Sequence, residues 1–398
     1  MGGAIAVLTT TNDNDAVKTF DDLEIRRPAL ARSYLQLLEA QAGRPIALFA
    51  PRRVGKTFFL DQDLAPAAIA TGHAPVYADL WLQKAAPLEA INHALEEALD
   101  DATVPSGAVG KAAKTPVRKL GGLGASLEFG DEPKRRQLPA QAELRFDALV
   151  TRLRAAAGRP VLLMLDEVQS VGEHPQGPSI MATLRAVLQK HKREVRAVFT
   201  GSSQEALSAM MAASGGPMYQ FAQLVNFPTL GDEYLELLAG HFAQVHKGKH
   251  LEMADLRRVF DHIGHKPALM KDIAKAMSAE GATNVDLALK RFVQDDRQVA
   301  GWRALLAGLA PFERSLLVLV AQGRAPMGKE TLIELGKIQG IDPTLAKVRS
   351  ALERLKRAGV LTKRGASFVV EDRLFADHIA AAGGLTAVGA DGRQLDRS

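Results

Sequence analysis

The chain has no cysteine in its 398 residues. That excludes a disulfide framework and any thiolate metal site, and it fits a reducing cytoplasm. No apolar run reaches the roughly 20 residues that a membrane-spanning helix needs. The first 22 residues lack a charged start followed by a long apolar core, so they do not read as a secretory signal. No internal repeat is found. Strong charge of one sign is also missing: the formal net charge is +5, which by itself says little about nucleic acid. What remains is an ordinary globular composition, 47% hydrophobic and 24% charged, at a length suited to two or three domains.

The chain is organised around Pro45 to Leu60, PIALFAPRRVGKTFFL. Ile46 to Phe49 reads as a buried strand. The loop Ala50-Pro51-Arg52-Arg53-Val54-Gly55-Lys56-Thr57 follows, then a helix start at Phe58. Strand, loop with G-K-T, and helix is the context a phosphate-binding loop requires. Its backbone N–H groups wrap phosphates, and the dipole of the next helix points at the same anion. Lys56 is expected to reach the β/γ oxygens as a mobile charge, and the Thr57 hydroxyl to take one site on Mg²⁺. The usual first glycine is Ala50 here; it precedes Pro51, so it should be extended, which alanine tolerates.

A second stretch, Pro160 to Val171 (PVLLMLDEVQSV), carries an apolar run that suits a strand buried on both faces of a parallel sheet. It ends in Asp166 and Glu167, at the strand end where ligands of open α/β sheets sit. Asp166 is expected to hold Mg²⁺ directly or through water. Glu167 is expected to orient and deprotonate the attacking water. A further strand, Arg196 to Thr200, ends in Gly201-Ser202-Ser203. Ser202 is the candidate for contact with the γ-phosphate or the lytic water, with Thr200 and Ser203 as alternatives; these hydroxyls also suit the cap of the next helix.

The strings APRRVGKT, VLLMLDEVQ and VFTGSS, in that order, resemble the archaeal-type ATPase clade of P-loop NTPases, near the AAA+ and STAND proteins. The resemblance covers roughly residues 20 to 375. It implies ATP and Mg²⁺ binding, a helical lid and often a C-terminal winged helix. Members of the clade commonly carry a Tyr-Gly-Arg string before the next strand. Here that stretch is Met218-Tyr219-Gln220-Phe221, without the arginine. The string Gly264-His265-Lys266-Pro267 resembles the G-x-P string that STAND-like lids place near the nucleotide, which makes Pro267 a candidate contact.

The expected fold is α/β: a P-loop NTPase parallel sheet flanked by helices, then an all-α lid and a winged helix-turn-helix. The expected segments are a flexible lead (1–22), the ATPase domain (23–230) with an irregular basic insertion (101–138), the lid (231–299), the winged helix (300–378) and a flexible tail (379–398). Strands are expected at 46–49, 74–80, 161–165, 196–200 and 224–228. The helix before the fourth strand is read as 182–191, and Arg193 beyond it is a candidate to reach a neighbouring subunit's phosphate in an oligomer; basic residues there also complement the helix dipole.

Residues 301–364 hold 12 Lys and Arg against 5 Asp and Glu, a surplus larger than that of the whole chain. Helices are expected at 311–322, 328–335 and 343–358, with a hairpin at 360–370. On the third helix Leu345, Val348, Leu352 and Leu355 share one side, and Lys347, Ser350, Arg354 and Arg357 the other. With Lys363 and Arg364 at the wing, that face suits groove and phosphate contact with double-stranded DNA. Arg324, Lys329 and Lys337 are further candidates for phosphate. Winged helices also dock proteins. Two readings follow: an ATPase whose nucleotide state is coupled to a DNA-contacting winged helix, within a homo-oligomer or beside a protein partner, or a slow nucleotide switch that uses that module to hold a protein.

Overall fold

The computed structural model describes residues 19–41, 43–103, 137–172, 174–202, 204–364 and 367–381. Most of the expected lead, most of the 101–138 insertion, Ser203, Gly365 and residues 382–398 of the expected tail lie outside them. The chain forms two compact units: Arg26–Pro228, and Thr229–Ser398 together with the stretch ending at Ile25. Among the described residues no helix is long and apolar enough to cross a membrane.

The first unit runs α1 (Pro28–Ala40), β1 (Ile46–Phe49), α2 (Lys56–Phe59), a π-helical turn (Leu60–Leu64), α3 (Ala65–Ala70), β2 (Ala74–Asp79), α4 (Pro87–Thr103) and α5 (Ala142–Ala157). It continues with β3 (Val161–Asp166), α6 (Gln169–Gly172), α7 (Gly177–Lys190), β4 (Val195–Gly201), α8 (Gln204–Ala212) and β5 (Gln223–Asn226). The five strands form one parallel sheet in the order β2-β3-β4-β1-β5. Every residue of the inner strands β3 and β4 is buried, including Arg196 and Thr200 of β4, whereas the edge strands β2 and β5 alternate. Successive side chains supply opposite faces. Ile46, Leu48, Leu162, Met164 and Val198 join α1 and the helix after the loop through Leu38, Phe59 and Leu64. Ala47, Leu163, Leu165, Ala197 and Phe199 join α4, α5 and α7 through Ile91, Phe146 and Leu184. Helix α7 starts five residues earlier than the sequence suggests, because Pro178 fits the first turn of a helix.

The second unit is helical apart from one hairpin. It contains α9 (Asp232–Val245), α10 (Met253–His262), α11 (Pro267–Glu280), α12 (Val285–Gln294), α13 (Asp296–Ala307), α14 (Pro311–Ala321), α15 (Lys329–Gln339), α16 (Leu345–Arg357), β6 (Leu361–Arg364), β7 (Ser367–Val370) and α17 (Arg373–Ala381). One hydrophobic cluster of buried residues runs through it from Phe20 to Ile379. Helix α13 crosses the 299/300 boundary drawn from sequence, and its Trp302 packs on Phe375 of α17, ring centroids 5.9 Å apart. Neither helix is separately apparent in the sequence. Residues 20–22, read as part of a flexible lead, form a 3-10 turn whose buried Phe20 meets His241 edge-on at 4.5 Å. Ile379, read as the start of the tail, is buried on α17.

Candidate nucleotide site

Three strand ends build the site, all at the carboxyl edge of the sheet. After β1 the chain turns through two left-handed residues, Arg53 (φ 65°) and Gly55 (φ 92°). Gly55 adopts this conformation at little cost, while Arg53 is strained, a feature that clusters at ligand sites. Such a turn aims successive N–H groups into a concavity fitted to an anion. Ala50 keeps extended pairing, its N–H donating to the Gly201 carbonyl at 3.4 Å. Lys56 is 6% exposed, and its Nζ donates to the carbonyls of Ala50 (2.6 Å) and Pro51 (2.9 Å). The lysine thus folds back over its own loop.

Asp166, at the end of β3, is the hub. Its Oδ2 accepts from the Thr57 hydroxyl (2.8 Å) and the Tyr77 hydroxyl (3.1 Å), and its Oδ1 from the Glu167 N–H (3.0 Å) and the Thr200 hydroxyl. Burial, and after it the charge of Asp166, holds the Tyr77 phenol protonated well above the ordinary phenol range. Tyr77 was not apparent in the sequence as a site residue; the only signal was its place one strand away on β2.

Glu167 stands immediately after β3 in a left-handed conformation (φ 56°) that turns its side chain toward β4. Its Oε2 accepts from the Ser202 hydroxyl (2.8 Å), the Ser202 N–H (3.3 Å) and the Gln169 amide. The Gln169 Nε2 also donates to Ser202 Oγ at 3.2 Å. Gln169 is 6% exposed, and its Oε1 is buried with no hydrogen-bond partner. Gly201 makes room for it: a Cβ there would stand 2.5 Å from that oxygen. Gln169 lies within the string VLLMLDEVQ, where nothing local in the sequence marks it as a partner of Glu167.

The structure therefore brings Lys56, Thr57, Asp166, Glu167 and Ser202 together in the first unit, with Arg52 reaching Ser202 Oγ through its Nε at 3.4 Å. Of the alternatives to Ser202, Thr200 is engaged by Asp166. Arg193 lies two residues before β4, at the opposite edge of the sheet from this site. The Met218 to Phe221 stretch is held by Arg185 of α7, which donates to the carbonyls of Pro217 (2.8 Å) and Tyr219 (3.2 Å). Pro267 belongs to the second unit, where it opens α11 and its carbonyl accepts from the Tyr234 hydroxyl at 2.7 Å.

On α16 of the second unit, Val348, Ala351, Leu352 and Leu355 are buried, but Leu345 is 51% exposed. The sequence reading set Leu345 on the buried side; it stands in the first turn, just past the Thr344 cap, beyond the reach of the core. Lys347, Ser350, Arg354 and Arg357 are all exposed. All four make contacts within the chain. Arg354 pairs with the Glu313 carboxylate of α14 and donates to Ser350 Oγ at 2.9 Å, and Lys347 lies over the Phe312 ring at 4.6 Å. Arg357 donates to the Glu353 carbonyl at 3.4 Å. Lys363 and Arg364 end β6.

No family model matches the chain, and no curated protein matches it in sequence. Its fold is similar to that of a Walker-type ATPase of Pyrococcus abyssi, with a TM-score of 0.58 at 14% identity, over 91% of this chain and 97% of that one. Weaker likenesses include the ADP form of the ORC2 protein of Aeropyrum pernix (TM-score 0.47, 17% identity, 89% and 93% covered) and the ORC1 protein of Aeropyrum pernix in complex with DNA (TM-score 0.46, 15% identity, 89% and 92% covered). This chain shares its fold with that Walker-type ATPase: a five-stranded parallel sheet followed by a helical region and a small hairpin.

Proposed function

We propose that the first unit binds ATP with Mg²⁺ and hydrolyses it, and that nucleotide state is coupled to DNA contact by the winged helix of the second unit. The observation that carries the reading is the convergence of three strand ends on one spot: the phosphate loop with Lys56 and Thr57, the carboxylate pair Asp166 and Glu167, and Ser202 against Glu167. The γ-phosphate would draw Lys56 off the Ala50 and Pro51 carbonyls, exchanging two neutral acceptors for a charged one. Glu167, released from Ser202 and Gln169, would take a proton from the attacking water.

The donor set suits a hard cation, with one hydroxyl and one carboxylate 2.8 Å apart. Asp166 already accepts four hydrogen bonds, which favours its acting on Mg²⁺ through water. Among the described residues there is no group of three His, Asp or Glu side chains able to hold a metal, and Mg²⁺ beside phosphates needs none. The metal would neutralise charge on the β- and γ-oxygens.

The second reading is a slow nucleotide switch whose winged helix holds a protein. It is favoured by a specific observation: Arg354 and Lys347 are occupied internally, while Ile333, Ile341 and Leu345 are exposed. ATP hydrolysis measured with and without duplex DNA, for the native protein, Lys56→Ala and Glu167→Gln, separates the two. Hydrolysis stimulated by DNA selects the first reading. Tight ATP binding without turnover under either condition selects the second.

A further inference from the structure

Arg52 is exposed in the phosphate loop. Its guanidinium carbon lies 4.5 Å from the ring centroid of Trp81, in the loop after β2. Lys84 Nζ lies over the same ring at 3.8 Å. Two cations therefore share one aromatic ring, and each raises the cost of keeping the other there. From this position Arg52 Nε reaches Ser202 Oγ at 3.4 Å, and Ser202 Oγ donates to Glu167 Oε2 at 2.8 Å.

That carboxylate oxygen accepts three hydrogen bonds, from the Ser202 hydroxyl, the Ser202 N–H and the Gln169 amide. An oxygen so occupied has no lone pair left for a water proton. Glu167 Oε1 carries none of these bonds, and Arg52 of the phosphate loop donates to the Ser202 hydroxyl that anchors Oε2.

Building on the ATPase reading, we propose that Arg52 reads the γ-phosphate from within its own chain, with Trp81 as its resting dock. An exposed cation–π contact is weak, and a guanidinium–phosphate pair is charge-assisted and bidentate. A terminal phosphate in the loop therefore takes Arg52 off Trp81. There its charge offsets the negative charge that develops on the γ-phosphate oxygens, which is the contribution to turnover that Arg52→Ala removes. ADP, which lacks that phosphate, leaves Arg52 on Trp81.

Trp81 makes this visible. The chain has two tryptophans, Trp81 and Trp302, so Trp302→Phe leaves Trp81 as the sole indole. Should that buried substitution unfold the second unit, the native emission minus that of Trp81→Phe isolates the same signal. Trp81 emission is followed during titration with ATP or ADP in the presence of Mg²⁺, with nucleotide binding measured separately by equilibrium dialysis. ATP is expected to change the emission and ADP to leave it unchanged, and Arg52→Ala is expected to abolish the ATP response. Arg52→Ala should also lower kcat about tenfold or more while KM stays within about threefold, with Arg52→Lys recovering only part of the loss. Equal responses to ATP and ADP, or native kcat in Arg52→Ala, would overturn the proposal while leaving the ATPase reading standing. Failure of the native protein to bind ATP in dialysis would remove both.

Discussion

Thr57 and Asp166 meet at 2.8 Å across 109 residues of sequence. Neither is on a strand adjacent to the other's. Thr57 opens the helix after β1, Asp166 ends β3, and β4 runs between those two strands. The strand order therefore does the chemistry's positioning: it places the loop on one side of β4, the carboxylate pair on the other, and the β4 tip, with Thr200 and Ser202, between them. Thr200 ties the three together by donating to Asp166 from inside the sheet, where it is fully buried.

Lys56→Ala should lower ATP affinity about tenfold to a hundredfold, the worth of roughly 1.5–3 kcal/mol for a hydrogen bond to a charged partner. Equilibrium dialysis checks this, with circular dichroism to show that the variant is folded. Unchanged affinity would remove Lys56 from phosphate binding.

Glu167→Gln keeps the size of the side chain and loses the base. Turnover should fall by about 10²–10⁴ with ATP affinity preserved. A steady-state phosphate-release assay beside a binding titration reads both quantities. Near-native turnover would assign the proton acceptor elsewhere.

Gly201→Ala puts a Cβ 2.5 Å from Gln169 Oε1 and 2.6 Å from Leu207 Cδ1. Both side chains are buried, so neither is free to swing away. The variant should lose about 1–3 kcal/mol of stability, read as a lower urea midpoint. Displacing Gln169 should also change basal hydrolysis, because its amide rests on Glu167.

If α16 meets DNA, Lys347→Glu and Arg357→Glu should each weaken binding to any duplex and each reduce the log–log salt slope by about one. Arg354→Glu should behave differently. It sets a carboxylate against the nearly buried Glu313, so its first effect is a lower melting temperature of the protein without DNA. Identical salt slopes for the native protein and both of the first two variants would exclude phosphate contact by this face.

The Glu39 carboxyl is held below its ordinary value near 4.5, first by its hydrogen bond to Arg196 and also by His73. A depressed folded value means stability that is present above the unfolded value and is lost as pH falls through the folded one. Glu39→Gln should therefore be less stable than the native protein at neutral pH, and the difference should shrink as pH drops below about 4.5. Urea titrations at a series of pH values test the sign; a difference that grows on acidification would contradict it.

Much of the candidate site was legible because its parts are local. A strand, a Gly-Lys-Thr loop and a helix start lie within Pro45 to Leu60, and Asp166 and Glu167 end an apolar run that reads as an inner strand. Backbone geometry alone then demands a left-handed residue at Gly55. The five strands were legible for the same reason, since continuous or alternating apolar runs report burial directly. Helices α13 and α17 were not separable, because Trp302 and Phe375 explain their burial only once they meet.

Local sequence thus determined the five strands, the Gly-Lys-Thr loop and the acidic pair, through properties that each residue carries with its near neighbours. Tertiary structure alone decided which distant groups touch. Tyr77 and Thr200 converge on Asp166, Gln169 and Ser202 close on Glu167, Arg52 docks on Trp81, and Glu313 takes Arg354 from the exposed face of α16. Hydrogen bonds and ion pairs act over a few ångströms whatever the separation in sequence, so these partnerships follow from strand order and helix packing and leave no periodic signal in the chain.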